Sequence, residues 1–248
     1  LFICIVLYIA LCAICVRAGI DITHEDLQTN VVTGASFVGG VQSNVSFKDQ
    51  AGHGTFVAGE IGATTNNGLG VTGVAQLVSL YICQFIGASG DGDISSAALC
   101  IDWCLANNVH VISSSWGSSQ YLQTLDAAVG TVSTRGVVFV ASAGNSGLNT
   151  DTTPQYPSGF SAQDDGVISV AAVDSTGALW SGSNYGNRTV TLAAPGVQLR
   201  GLGLGSTYTQ LTGTSMASEY FRATRMGLDI STSSLTSCVT CLRVSLVV

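Results

Sequence analysis

Three short stretches carry side chains that could act together on a carbonyl. Gly213-Thr214-Ser215-Met216-Ala217 sets a serine among small residues, which suits a nucleophile at a tight turn into a buried helix. His53-Gly54-Thr55-Phe56-Val57-Ala58-Gly59 follows Gly52, so glycines flank the imidazole and leave it room to face a cleft at a helix start. Ala141-Ser142-Ala143-Gly144-Asn145 ends in a side-chain amide. A serine is a useful nucleophile only beside a base, and an amide can donate to the oxyanion formed when that serine attacks a carbonyl. Base, donor and nucleophile each stand where an apolar run meets glycine.

The elements that must hold them alternate between two periods. Short apolar runs at Val31 to Val41, Leu77 to Ile82, Val109 to Ile112, Val137 to Ala141 and Val167 to Val173 read as strands. Between them, Asp93 to Leu105 and Tyr121 to Thr134 repeat apolar residues at helical intervals, with Asp91 or Asp93 able to place negative charge at the first N-terminus. A third helix is expected through Thr55 to Ile61, with His53 at its start. This alternation predicts an α/β fold of three layers, a parallel sheet flanked by helices. Ligand sites in such folds lie at the carboxyl ends of strands, where His53, Ser115 and Asn145 fall.

Composition limits the alternatives. Hydrophobic residues make up 46 %, charged residues 9 %, and 30 residues are glycine, which excludes a disordered chain and suits a compact enzyme with many turns. A formal net charge of -7 argues against nucleic acid as partner. No strand is followed by GxGxxG opening a helix, and the serine lacks the GxSxG context of the α/β hydrolases. Eight cysteines permit disulfides without establishing them; Cys100 and Cys104 share a helix face suited to the core, and the Cys238-Cys241 pair lacks a second pair or a histidine for zinc.

Together the segments resemble the subtilisin-like serine proteases, the subtilases, through HGTxVAG at His53, an AAGN-like end at Asn145, and GTSMA at Ser215. The likeness runs from Gly19 to Ser218. It implies a serine endopeptidase with His53 as base, Ser215 as nucleophile and Asn145 as oxyanion donor. Ser115-Trp116-Gly117 resembles the strand that pairs with substrate backbone, and Ala143 and Gly144 face it across the P1 pocket. Trp116 beside the small Ala141-Ser142-Ala143 suits an apolar or aromatic P1 side chain. Ser183-Asn184-Tyr185-Gly186 and Leu192-Ala193-Ala194-Pro195-Gly196 resemble the SNYG and APG segments, expected to hold the sheet edge and the approach to the nucleophile. Thr65 to Ala75 resembles the calcium loop, with carbonyls of Thr65, Leu69 and Val71, the Asn67 side chain and Asp26 as ligands; the alternative is a plain hydrogen-bonded loop. No cofactor is required for the chemistry.

Gly19 to Leu27 resembles the segment that follows the catalytic aspartate, but that aspartate falls on Arg17. The next carboxylate, Asp21, would have to serve from another backbone position, and His24 reads as a structural residue of the loop. After Ala217 the likeness decays: Glu219 and Arg222 enter a helix meant for the core, where they must be paired or turned to solvent. These departures support a second expectation, a catalytically inactive homologue that binds peptides along the Ser115 strand. Residues 1–18 read as a signal remnant or, at Ala13 to Val16, as the end of a buried parallel strand. Residues 19–230 form the peptidase domain, incomplete at both ends, and 231–248 an irregular tail. The expected setting is extracellular and monomeric, with polypeptide substrates, no stable membrane span, and glycosylation sequons at Asn44-Val45-Ser46 and Asn187-Arg188-Thr189.

Overall fold

A computed structural model of the chain describes residues 13–15, 19–27, 30–43, 47–75, 78–87, 89–90 and 92–226. Arg17, the sequon at Asn44, Asp91, the Cys238-Cys241 pair and the tail lie outside the described residues. Seven strands form one parallel sheet: β1 (Ala13–Cys15), β2 (Val31–Ser36), β3 (Leu80–Gln84), β4 (Val111–Ser114), β5 (Val138–Ser142), β6 (Val167–Val173) and β7 (Leu192–Pro195). Their order is β2-β3-β1-β4-β5-β6-β7. The apolar run at Ala13 thus supplies an interior strand, with Ile14 opposite Ile82 on one side and Ser113 on the other.

Continuous apolar runs are what a sheet covered on both faces demands, and adjacent residues of each strand serve different layers. Val111, Val140 and Ile168 join a core with α1 (His53–Gly62) and α4 (Thr214–Met226). Their neighbours Ile112, Phe139 and Val167 join a second core with α2 (Ile94–Ala106) and α3 (Gln123–Thr134). Asp93 caps α2 by accepting from the hydroxyls of Ser95 and Ser96, at 2.5 and 2.6 Å, and from the Ser95 N–H at 2.8 Å, which together hold its carboxyl below the ordinary range.

Three details depart from the sequence expectations. The strand expected at Val109 to Ile112 is displaced to Val111–Ser114, because Ser113 and Ser114 are buried in spite of their hydroxyls. The strand expected from Leu77 begins at Leu80 and runs on to Gln84. An antiparallel hairpin, β8 (Leu199–Gly203) with β9 (Thr207–Leu211), was not anticipated. It packs on α1 where Gly59 meets Leu202: a Cβ on Gly59 would stand 2.4 Å from Leu202 Cγ.

Cys100 is not a bare core thiol but is bridged to Cys83, with its Cα 5.7 Å away, tying α2 to β3; Cys104 is buried in the same core. The bridge spans a separation of 17 residues, and a loop of that length restricts the unfolded chain by about 3 kcal/mol. Replacing both Cys83 and Cys100 by serine is expected to lower the unfolding free energy by roughly that amount. Equilibrium denaturation under non-reducing conditions measures it.

Candidate active site

Both helices that carry the candidate catalytic groups begin after a glycine and are capped by a side chain outside the helix, a local one for α1 and a distant one for α4. The residue before α1 is Gly52, with a φ of 84° and no side chain to cap the helix. Asp49 supplies the acceptors instead. Its Oδ1 accepts from the Ala51 and Gly52 N–H groups at 2.9 and 2.8 Å. Its Oδ2 accepts from the Thr55 N–H at 2.8 Å and the Thr55 hydroxyl at 2.7 Å. His53 therefore stands half-buried on a fixed first turn.

At the start of α4 the acceptor is Asn145. Its Oδ1 accepts from the Thr214 N–H at 2.9 Å and from the Thr214 hydroxyl at 2.8 Å. The hydroxyl in turn accepts from the Gly144 N–H at 3.1 Å. A backbone N–H can only donate, so the atom facing it must be the amide oxygen, which decides the orientation of the Asn145 amide. Its Nδ2 then lies beside Gly213, the residue before α4. Ser215, the second residue of α4, is buried, while Asn145 lies exposed at the end of β5.

α1 and α4 pack against each other. Glu60 is on α1 and Glu219 on α4. His53 lies seven residues before Glu60, and Ser215 four before Glu219, so each shares the face of its glutamate about two turns and one turn toward the helix start.

The Ser115 strand is linked to the nucleophile helix through Glu219. That carboxylate is fully buried and accepts hydrogen bonds from the hydroxyls of Ser113 and Ser115, the latter at 2.9 Å. The Ser218 hydroxyl donates to the Ser215 carbonyl at 2.8 Å. Glu219 is thus accommodated by pairing, one of the two outcomes open to it. Trp116 packs inward, edge-on to Phe85 with ring centroids 5.1 Å apart, and Gly117 is exposed. Ala143 is buried and Gly144 half-buried beside the Asn145 amide.

Asp21 is not free to serve His53. Its Oδ1 accepts from the Thr23 N–H at 3.1 Å and hydroxyl at 2.6 Å, and its Oδ2 from the Gly205 N–H at 2.9 Å. Burial opposes its charge, but these donors hold its carboxyl below the ordinary range. His24 is structural, as expected. Its Nδ1 accepts from the Asp26 N–H at 3.2 Å, so the proton sits on Nε2 and donates to the Thr207 carbonyl at 3.1 Å.

Of the other expected calcium ligands, Asn67 and Val71 reach Asp26, which is fully buried. Its carboxylate accepts from the Asn67 amide, from the Tyr208 hydroxyl at 3.1 Å and from the Val71 N–H at 3.4 Å. Asn67 Oδ1 accepts from the Leu69 N–H at 3.0 Å. Thr65 and Val71 are half-buried and Leu69 is exposed along the same loop. Among the described residues, no group of three or more His, Cys, Asp or Glu side chains gathers as a metal cluster.

Sequence reasoning missed the capping work of Asp49 and the buried carboxyl of Glu60. Both Glu60 oxygens are enclosed and without a hydrogen-bond partner. Burial first, and the Glu219 charge second, push its carboxyl well above the usual 4.5. A carboxyl whose pKa is raised on folding stabilises the protein below its unfolded value and loses that contribution as pH rises. Glu60→Gln is therefore expected to raise Tm at about pH 7, with the gain vanishing below the ordinary carboxyl value of 4.5. Thermal melts of both chains across that range check the sign.

A family model described as the subtilase family matches residues 13–219. Subtilisin Savinase from Lederbergia lenta is 41 % identical over 198 residues, 80 % of this chain and 68 % of that protein. Subtilisin DY from Bacillus licheniformis is 41 % identical over 205 residues, 83 % of this chain and 71 % of that protein. A thermostable alkaline protease from Halalkalibacterium halodurans is 39 % identical over 198 residues, 80 % of this chain. The match covers 51 % of that protein, so this chain spans about half the length of some of the curated relatives it matches. With a family model matched over most of its length and a parallel sheet flanked by helices, the chain belongs to the subtilase family.

Proposed function

We propose that the chain is a serine endopeptidase that hydrolyses peptide bonds through an acyl-enzyme. The observation that carries this reading is the Asn145 amide, with its oxygen fixed on Thr214 and its Nδ2 beside Gly213, next to the nucleophile turn. That donor, with the Ser215 N–H at the positive end of α4, suits an oxyanion. In the reaction, His53 removes the Ser215 proton as the oxygen attacks the scissile carbonyl. The tetrahedral oxyanion rests on Asn145 Nδ2 and the Ser215 N–H. It collapses as the C–N bond breaks and His53 gives the proton to the leaving amine. Water, deprotonated by His53, then releases the acyl group and regenerates the serine.

Substrate would run along Ser115-Trp116-Gly117, with Ala143 and Gly144 opposite, and an apolar or aromatic P1 side chain is preferred. The relatives are named proteases and subtilisins, which favours polypeptide substrates, and an extracellular setting belongs to the same proposal. No described helix is long and apolar enough to cross a membrane. A monomer is in keeping with this reading.

A second reading has one observation in its favour. Arg17 stands at the place of the family's aspartate, and both oxygens of Asp21 are engaged elsewhere. The chain would then be an inactive homologue that binds peptides along the same strand. Labelling by a fluorophosphonate separates the two. An active site labels at a rate abolished by Ser215→Ala, and Asn145→Ala slows peptide turnover by about 10²- to 10³-fold, the cost measured for this donor in a subtilisin. Labelling no faster than the alanine variant establishes the inactive reading.

Calcium belongs to the same proposal. A buried carboxylate, an amide and neighbouring carbonyls are the hard oxygen donors the ion prefers. Asp26, Asn67, Thr65, Leu69 and Val71 would hold it, with the Asn67 amide turned to present its oxygen. Bound calcium supplies no chemistry to the reaction and stabilises the loop. Calcium at 100 times its Kd is expected to stabilise the chain by about 2.7 kcal/mol, a Tm rise of several degrees that Asp26→Ala removes. Equal melts in calcium and in chelator would refute it.

A further inference from the structure

We propose that Asn184 is a positioning residue for the Asn145 amide, acting on both flanks of that residue from a separate segment of chain. The inference rests on the oxyanion role of Asn145 proposed above. Asn184 is fully buried, in the Ser183-Asn184-Tyr185-Gly186 segment between β6 and β7. On the side before Asn145, its Nδ2 donates to the Ala143 carbonyl at 2.9 Å and its own N–H to the Gly144 carbonyl at 2.9 Å. On the side after, its Oδ1 accepts from the Ser146 N–H at 3.1 Å and the Leu148 N–H at 3.0 Å. One side chain therefore holds residues 143, 146 and 148, and its backbone holds 144.

Shape adds to the bonds. Gly144 has a φ of 107°, and a Cβ there would stand 2.3 Å from Asn184 Nδ2, so the amide lies flush on the one residue that leaves it room. The clamp is itself anchored. The Ser183 hydroxyl accepts from the Ala172 N–H of β6 at 2.9 Å and donates to the Asn184 carbonyl at 3.0 Å. Asn145 is exposed and receives no burial of its own to immobilise it. Thr214 fixes its amide oxygen, and Asn184 fixes the backbone from which that amide projects. A donor aimed at developing charge contributes to rate only while it is held in place before the reaction.

A buried asparagine that merely satisfies backbone groups would affect stability alone, so the test must read Asn145 through Asn184. Asn184→Ala is expected to lower kcat on a peptide anilide about 10- to 100-fold, with KM changed less than about 3-fold. In the Asn145→Ala background the same substitution should cost less than about 2-fold, because the donor it positions is already gone. Asn184→Asp keeps the shape and the Oδ1 acceptor but sets an oxygen against the Ala143 carbonyl, and should lower kcat in the same way. A lowered Tm with kcat unchanged, or equal losses in both backgrounds, overturns the proposal. If the parent chain shows no Ser215-dependent turnover, the endopeptidase reading fails by itself. Hydrogen exchange in the Ser215→Ala chain then decides the clamp: Asn184→Ala should speed exchange at the Ser146 and Leu148 amides by at least about 10-fold. Unchanged exchange there overturns the proposal.

Discussion

The placement of the site depends on how the first turn of α4 finds an acceptor. A helix start leaves N–H groups without intrahelical partners, and inside a protein they must be satisfied. Gly213 precedes this helix and has no side chain to offer. Asn145, at the end of β5, reaches across and accepts from the fully buried Thr214. This bond joins the sheet to the helix that carries Ser215, and it also decides which end of the Asn145 amide is left to donate. α1 is built alike, with Asp49 doing for Gly52 what Asn145 does for Gly213. In both, glycine at the cap leaves space beside His53 and Ser215, and the acceptor comes from elsewhere in the chain.

The interface between α1 and α4 is where this arrangement costs stability. Glu60 keeps two enclosed oxygens without a hydrogen bond, and Glu219 is fully buried against the sheet. Burying a charge without compensation is expensive, so protonation of Glu60 is the cheaper state. Glu219 has the hydroxyls of Ser113 and Ser115 to receive, which explains why polar residues occupy a strand packed on both faces. The Ser115 side chain thereby couples the strand expected to hold substrate to the helix of the nucleophile.

What could be read in advance divides by range. β6 coincides with the expected Val167 to Val173, because its apolar run is local and interrupted only by Ser169. α3 and β5 fall within two residues of expectation for the same reason. β4 lies later than the apolar run suggests because its last two positions are serines, one of which, Ser113, is received by Glu219 over a hundred residues away. The β8–β9 hairpin escaped notice because Leu199 to Gly205 alternates with glycine and arginine instead of β-branched residues. At the site, His53, Ser215 and Asn145 were visible as residue types beside glycines. The roles of Asp49 and Asn184 were not, since a capping carboxylate and a buried amide declare themselves only through the donors that folding brings to them.

Those donors also bear on the place of Arg17. A subtilase site divides its work between holding an oxyanion and moving a proton, and this chain treats the two differently. The groups proposed for the oxyanion are held by Thr214 and Asn184 through contacts within the described residues. The two nearest carboxylates in sequence to the family's aspartate and to His53, Asp21 and Asp49, spend their oxygens on backbone and hydroxyl donors. Loss of the aspartate costs such enzymes about 10⁴-fold, whereas oxyanion hole and binding alone retain roughly 10³- to 10⁴-fold over water. If Asn145 acts as proposed, the fold keeps the second contribution whatever stands at position 17. Reduced proton transfer at a preorganised carbonyl site would then appear as slow acylation with Asn145 still required, and loss of the oxyanion donor would be felt as fully as in a chain with the complete triad.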